Sequence, residues 1–182
     1  ATGRLKQLYD RVKGPDDNVD NIMMAHSLRP HSMEGHMHIY KYVLHHSANT
    51  LEKWFLEALG VYTSSLNDCS YCVEHHYQGM RRLLGDDDRS GGIRLAIEAD
   101  APDRAFDGRE LAAMRYARAL TRAPADLTST DIAGLRACGL EDGEILEINQ
   151  VVAYFNYANR TVLGLGINTD GDIIDLSPGD ND

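Results

Sequence analysis

Positive charge is scarce in this chain. Eighteen lysines and arginines stand against 28 aspartates and glutamates, giving a formal net charge of −10 and a pI near 5.2. No basic patch offsets that balance, which argues against nucleic acid and anionic membrane surfaces as partners. Long apolar runs are missing too, and none approaches the roughly 20 residues a membrane span needs. No leader-like segment is read at the start, where Ala1-Thr2-Gly3-Arg4 leads into a polar helix, so a cytoplasmic location is expected. Cysteine is limited to three residues. Two of them form Cys69-x-x-Cys72, which fits a reducing compartment with a redox or metal role better than a secreted disulfide scaffold. Strand-like alternation is absent except at 173–176, and no low-complexity linker divides the chain.

What is present is helical periodicity around an ordinary apolar content of 43%. The expected fold class is all-α, in one domain of 182 residues. Within it, 1–27 reads as an N-terminal helical extension, 28–167 as the core and 168–182 as a short C-terminal tail, mobile at 177–182. Helices are expected over 5–13, 19–28, 30–46, 51–66, 69–84, 91–99, 109–122, 132–138 and 145–163. Gly14-Pro15, Pro30 and Pro124 punctuate them. Thr128 to Asp131 offers capping-box chemistry, and Glu141, Asp142 and Glu144 place acidic groups at the positive end of the last long helix.

The chemistry gathers in 57–80. Asn67-Asp68 reads as a helix start with Asp68 as the cap, which puts the cysteines in the first turn. At about 100° per residue, Cys69, Cys72, Val73, His76, Met80 and Leu83 then share one face, while His75 points away from it. A helix N-terminus and a neighbouring imidazole both favour a thiolate. Upstream, Leu51, Trp54, Phe55, Ala58, Leu59, Tyr62 and Leu66 keep helical spacing, with Thr50 as the expected cap. Glu57 lies at the edge of that stripe. The turn at 66–68 folds the next helix back, so Glu57, Cys69, Cys72 and His76 are expected in one half-buried pocket between antiparallel helices.

The spacing Glu57-x11-Cys69-x2-Cys72-x3-His76 resembles the alkyl hydroperoxidase D/carboxymuconolactone decarboxylase-like superfamily, and within it the peroxidase-related proteins of the alkyl hydroperoxidase group. The later run Tyr154-Phe155-Asn156-Tyr157-Ala158-Asn159-Arg160, continuing to Leu163-Gly164-Leu165-Gly166-Ile167, is similar to that group as well. The resemblance covers roughly residues 28–167. It implies an all-helical homo-oligomer that reduces hydroperoxides through a Cys–Cys disulfide, with the second cysteine attacking. The partners it implies are a small hydroperoxide and a thiol or dithiol reductant. No cofactor or metal is expected, since the thiols carry the electrons themselves. Tyr71 stands between the cysteines where alkyl hydroperoxidase D has a histidine, a departure that bears on proton relay.

From the residues alone the two thiols divide differently. The helix dipole favours Cys69 as the attacking group, whereas closeness to His76 favours Cys72, which is taken here as peroxidatic with Cys69 resolving. Glu57 and His76 would form the proton relay. Two rivals remain: a decarboxylase-like enzyme acting on a small acidic lactone, and a non-catalytic redox or metal-binding protein. Zinc would need further ligands at metal spacing, with His75 and His76 the nearest. Cys138 is expected as a buried inert thiol. His31, His38 and His45 recur every seven residues, about 10 Å apart along a helix, too far to share one ion. With His36 and His46 close by, they read as a solvated or subunit-interface face. Asp170-Gly171-Asp172 reads as a turn, and Asn159 and Arg160 read as structural rather than as an anion site.

Overall fold

Helix α4 (Lys53–Leu66) is the axis of the fold in the computed structural model, which describes residues 1–14 and 16–174. Its sequence explains its place. Between residues 54 and 66 the only charged side chain is Glu57, so the helix is apolar all round and 11 of its 14 residues are buried. Helices α5 (Ser70–Leu84), α6 (Asp87–Glu98), α7 (Gly108–Arg122) and α9 (Asp142–Leu165) surround it. Helix α8 (Ser129–Ala137) lies against α7 and α9. At the N-terminal side, α1 (Gly3–Val12) packs on α3 (Pro30–Tyr40), and the short α2 (Asn21–Ala25) reaches α9. Among the described residues there is no strand, and the fold is all-α as expected. The strand-like stretch 173–176 beyond residue 174, and the acidic end 177–182, lie outside the described residues. No helix among the described residues is long and apolar enough to cross a membrane.

Several local expectations are corrected. Thr50 does not cap α4. Glu52 is the N-cap, because the Thr50 and Leu51 amides are held by the Glu147 carboxylate of α9 at 2.9 and 3.0 Å. Asp68 does not cap α5. It takes a left-handed conformation (φ 56°), which aspartate tolerates, so the chain reverses within one residue and Cys69 becomes the N-cap. The acidic stretch after Gly85 is not merely a turn. Asp86 accepts a hydrogen bond from the Arg89 amide at 2.9 Å, and α6 starts at Asp87, with carboxylates at its positive end. Cys138 is exposed rather than buried, since α8 is short, buries only Leu135 and ends just before it.

The third helix also departs from a single run over 30–46. It is α-helical to Tyr40 and then opens into a π-helical turn over Lys41–His45. Met33, Met37, Tyr40 and Leu44 are buried along it, as their spacing predicts. The wider turn takes an additional residue and rotates the end of the segment. His31 and His38 therefore face outward, whereas His45 is turned in to lie 3.8 Å from Glu57. The seven-residue histidine face is broken at its last member, and His36 is buried beneath it.

Gly60 sets the approach of α4 to α9. A Cβ there would lie 2.2 Å from the ring of Phe155, inside any real contact. Phe155 in turn stands edge-on to His76, with ring centroids 4.5 Å apart. Gly60→Ala is expected to destabilise the fold by about 1–3 kcal/mol, as overpacking does, and to disturb the His76 ring. Chemical denaturation and the His76 imidazole NMR shifts test this. An unshifted denaturation midpoint would mean that the two helices separate without cost.

Candidate active site

The tight reversal at Asn67-Asp68 lays α5 back along α4 and brings their functional side chains together. Glu57, from the centre of α4, is 2% exposed. Its Oε2 accepts a hydrogen bond from His76 Nδ1 at 2.7 Å. With the proton on Nδ1, Nε2 is the ring nitrogen left to accept another. Gly79, one turn beyond His76, leaves room for the carboxylate: a Cβ there would come within 3.4 Å of it. The expectation of a half-buried Glu57 is thereby corrected to a fully buried one, because His76 and Gly79 of α5 and His45 of the π-turn lie against its carboxylate.

The thiols of Cys69 and Cys72 are unbonded, with their Sγ atoms 2.9 Å apart, close enough to share a proton. Sharing splits their acidities. The hydrogen bond from Cys72 pulls Cys69 down to about 7; burial opposes this, while the Cys72 amide, the Asn159 side chain and the His76 charge assist it. Cys72 is pushed well above the usual thiol range, first by the same hydrogen bond and then by burial. The sulfur that loses a proton first is thus Cys69, the residue at the helix N-cap. The sulfur that borders open space is Cys72.

That space is a small, partly open cavity of about 50 Å³, bordered by Cys72, His75, His76, Tyr71, Asp20 and Tyr154 among others. It holds a few water-sized molecules or the peroxide end of a small hydroperoxide. Cys69, with no exposed surface, lies behind Cys72.

Behind Tyr71 and His75, which line the cavity, lie segments remote in sequence. Asp172, in the C-terminal turn, has a side chain only 2% exposed. Its carboxylate accepts from the Asn21 amide at 3.0 Å and from the Tyr71 hydroxyl at 2.7 Å, and lies 3.3 Å from His75 Nε2. The Tyr71 hydroxyl also accepts from the Ile22 amide at 3.3 Å. Tyr71 is therefore a held hydrogen-bond donor, its acidity suppressed by burial and by Asp172. His75, expected to point away from the site, borders the same cavity and lies against the Tyr71 ring at 4.5 Å. Docking of α2 and the 168–172 turn extends the cavity around α5 to enclose it. Burial and the His76 charge push His75 down in pKa, against Asp172.

A third set of residues lies behind the sulfurs. Asn159, fully buried on α9, accepts from Asn67 Nδ2 at 2.9 Å and donates to Ser64 Oγ at 3.0 Å. Those partners fix its amide beside the thiols, and it acts to lower the pKa of both. Arg160 is exposed and donates to Asn156, a structural contact as expected. Sequence reasoning missed Asp20, Asp172, His45 and the closeness of Asn159 to the sulfurs. The run 154–160 already marked Asn159; nothing local marked the others. Among the described residues no three His, Cys, Asp or Glu side chains converge as a metal site.

No protein-family model matches the sequence, and no curated protein matches it. Solved structures do share its fold. An uncharacterized peroxidase-related protein from Silicibacter sp. TM1040 superposes with a TM-score of 0.71 at 26% identity, covering 81% of this chain and 74% of that one. The alkylhydroperoxidase D core of an uncharacterized peroxidase-related protein from Ralstonia eutropha JMP134 gives a TM-score of 0.75 at 20% identity, covering 97% and 84%. A protein of unknown function from Agrobacterium tumefaciens, suggested to serve antioxidant defence, gives 0.65 at 21% identity, covering 79% and 93%.

One buried group of the cavity makes stability depend on pH. Burial, aided by His26 and His76, lowers the His36 pKa from 6.5 to about 4. Between those values the unfolded chain binds a proton that the folded chain refuses, so stability is lost as pH falls through that window. The loss amounts to at most about 3 kcal/mol. Urea unfolding at pH 7 and pH 4.5 should show a steeper decline in wild type than in His36→Phe. Equal declines would assign the acid sensitivity to other groups.

Proposed function

We propose that the chain, which shares the fold of alkyl hydroperoxidase D-like proteins, is a thiol-dependent peroxidase of that superfamily, reducing a small hydroperoxide through Cys69 and Cys72. The observation that carries this reading is a buried, unbonded thiol pair 2.9 Å apart, next to a carboxylate–imidazole pair joined at 2.7 Å. A peroxide is attacked by a thiolate, not a thiol. In the resting pair the Cys69 thiolate accepts a hydrogen bond from the Cys72 thiol. When a hydroperoxide occupies the cavity, His76 takes the Cys72 proton and Glu57 stabilises the imidazolium. A Cys72 lone pair forms the S–O bond to the terminal oxygen. The O–O bond breaks, and its electron pair leaves with the other oxygen, which takes up one further proton, supplied ultimately by solvent, and is released as the alcohol. Cys72 is left as a sulfenic acid. Cys69 attacks that sulfur, the disulfide forms, and the departing hydroxide takes the His76 proton to leave as water. Two electrons pass from the thiols to the peroxide, and a thiol or dithiol reductant returns them.

The rivals use less of the site. A lactone decarboxylase has no role for paired thiols, and a small acidic lactone would have to enter beside Asp20. A non-catalytic redox or metal-binding protein has no role for a buried Glu57–His76 pair. The reading includes self-association, supported by exposed Ile39, Tyr42 and Tyr157 along one apolar groove between α3, its π-turn and α9. Light scattering over a concentration series checks it, and a monomer throughout the micromolar range would remove this part.

Stoichiometric peroxide should yield a Cys69–Cys72 disulfide within one chain, read by mass spectrometry after alkylation. A Cys138 bridge between chains as the main product would refute the assignment. Glu57→Gln and His76→Gln should each slow peroxide reduction on the order of 10²-fold or more at neutral pH. His76→Gln also lowers thermal stability, because it breaks a buried pair, and both rates are read at a temperature where circular dichroism shows the variants folded. High pH should partly restore His76→Gln, because hydroxide then generates the thiolate. The exposed His38→Gln variant serves as the silent comparison. Equal rates in His76→Gln and His38→Gln would end the relay assignment.

A further inference from the structure

Peroxide reduction needs a second proton-handling group. Displacement at the O–O bond is in line: the attacking sulfur and the departing oxygen lie on opposite sides of the oxygen that is transferred. An imidazole that serves the sulfur is therefore not placed to serve the departing oxygen. An alkoxide is a poor leaving group unless it is protonated as it forms, and in a cavity of about 50 Å³ a group on the wall is the nearest donor.

The wall offers few candidates. The Tyr71 hydroxyl is committed to Asp172 at 2.7 Å, and burial pushes the acidity of both Tyr71 and Tyr154 out of reach near neutrality. Burial pushes His36 down to about 4 and His75 also downward, so both favour the neutral form, which is a weak acid. The Asp172 oxygens are occupied by the Asn21 amide and the Tyr71 hydroxyl. Asp20 is left. It precedes α2, comes from the segment ahead of the expected core, and borders the cavity together with Cys72 and His76. Burial first, and the charge of Asp172 second, push its carboxyl up to about 6, while His76 acts the other way. A proton donor of that strength is suited to transfer near neutral pH.

We propose that Asp20 is the general acid of this site, delivering its carboxylic proton to the departing oxygen as the O–O bond breaks. The products of the step are the alcohol, the Cys72 sulfenic acid and the Asp20 carboxylate, which regains a proton from solvent before the next turnover. Asp172 has a positioning role. It anchors the Asn21 amide, next in sequence to Asp20, and supplies the negative charge that keeps a proton on its neighbour. The inference rests on the thiol-peroxidase reading.

The test separates leaving groups. Reduced full-length protein is mixed in stopped flow with ethyl hydroperoxide, whose alkoxide must be protonated, and with peracetic acid, whose acetate leaves without help. Asp20→Asn should slow disulfide formation with ethyl hydroperoxide on the order of 10²-fold or more and leave the peracetic acid rate near wild type. Asp20→Glu should retain most of the alkyl hydroperoxide rate. Unchanged iodoacetamide alkylation of the cysteines in both variants shows that the thiol pair is intact. Equal slowing with both peroxides would make Asp20 a structural residue, and no slowing with either would make it a bystander; both results overturn the inference and leave the thiol mechanism standing. A wild-type protein that forms no disulfide with either oxidant overturns the peroxidase reading, and this inference with it.

Discussion

The burial of Glu57 is the constraint on which the other parts of the site depend. A carboxylate at the centre of an otherwise uncharged helix, 2% exposed, would carry a desolvation penalty of several kcal/mol if nothing met it. His76 meets it at 2.7 Å, and His45 approaches the other oxygen at 3.8 Å. Each imidazole is delivered by a backbone irregularity. The left-handed Asp68 turns α5 back along α4, and the π-helical turn at Lys41–His45 rotates its last residue inward. Gly79 leaves the volume the carboxylate occupies, and Gly60 lets Phe155 close over the imidazole. A site with so many parts fixed around one charge has little freedom to relax. That rigidity is what preorganised proton transfer requires.

The two thiols divide labour in a way that neither could manage alone. Cys69 is sealed from the cavity but sits where the helix end, the Asn159 amide and its neighbour's thiol favour negative charge. Cys72 borders the cavity but is held protonated by the same partnership. Negative charge on the pair is favoured at its protected member, which has no exposed surface. In the proposed cycle that charge becomes useful only when a hydroperoxide and the His76 base act on the other sulfur together.

Much of this was legible in the sequence. The Glu57-x11-Cys69-x2-Cys72-x3-His76 spacing lies within two consecutive helices, and helical phase is a local property that a sequence carries well. The all-α class and the buried stripe of the third helix arise from the same periodicity, and the capping box of α8 and the acidic start of α9 from equally local signals. Three features escaped. A single left-handed residue replaced a cap at Asp68, a π-turn shifted the phase at His45, and the second wall was assembled from Asp20 and Asp172. The first two are one-residue changes in backbone path that leave composition unaltered. The third is tertiary: the helical wheel placed His75 off the site because it described α5 alone, whereas the cavity bends around α5 once α2 and the C-terminal turn are docked on it.

That docking has a consequence for the newly made chain. The Asn21 side chain donates to the Asn168 and Asp170 carbonyls, so the two outlying segments are tied to each other across the thiols as well as to α5. Asp172 lies 101 residues beyond Tyr71 in the chain. On the ribosome the helix that carries both cysteines therefore emerges long before the segment that covers its second wall. Until that last turn is made, the sulfurs sit in a half-built chamber open to any oxidant or thiol in their surroundings. Completion of the cavity is in this sense timed by the 168–172 turn rather than by the cysteines themselves.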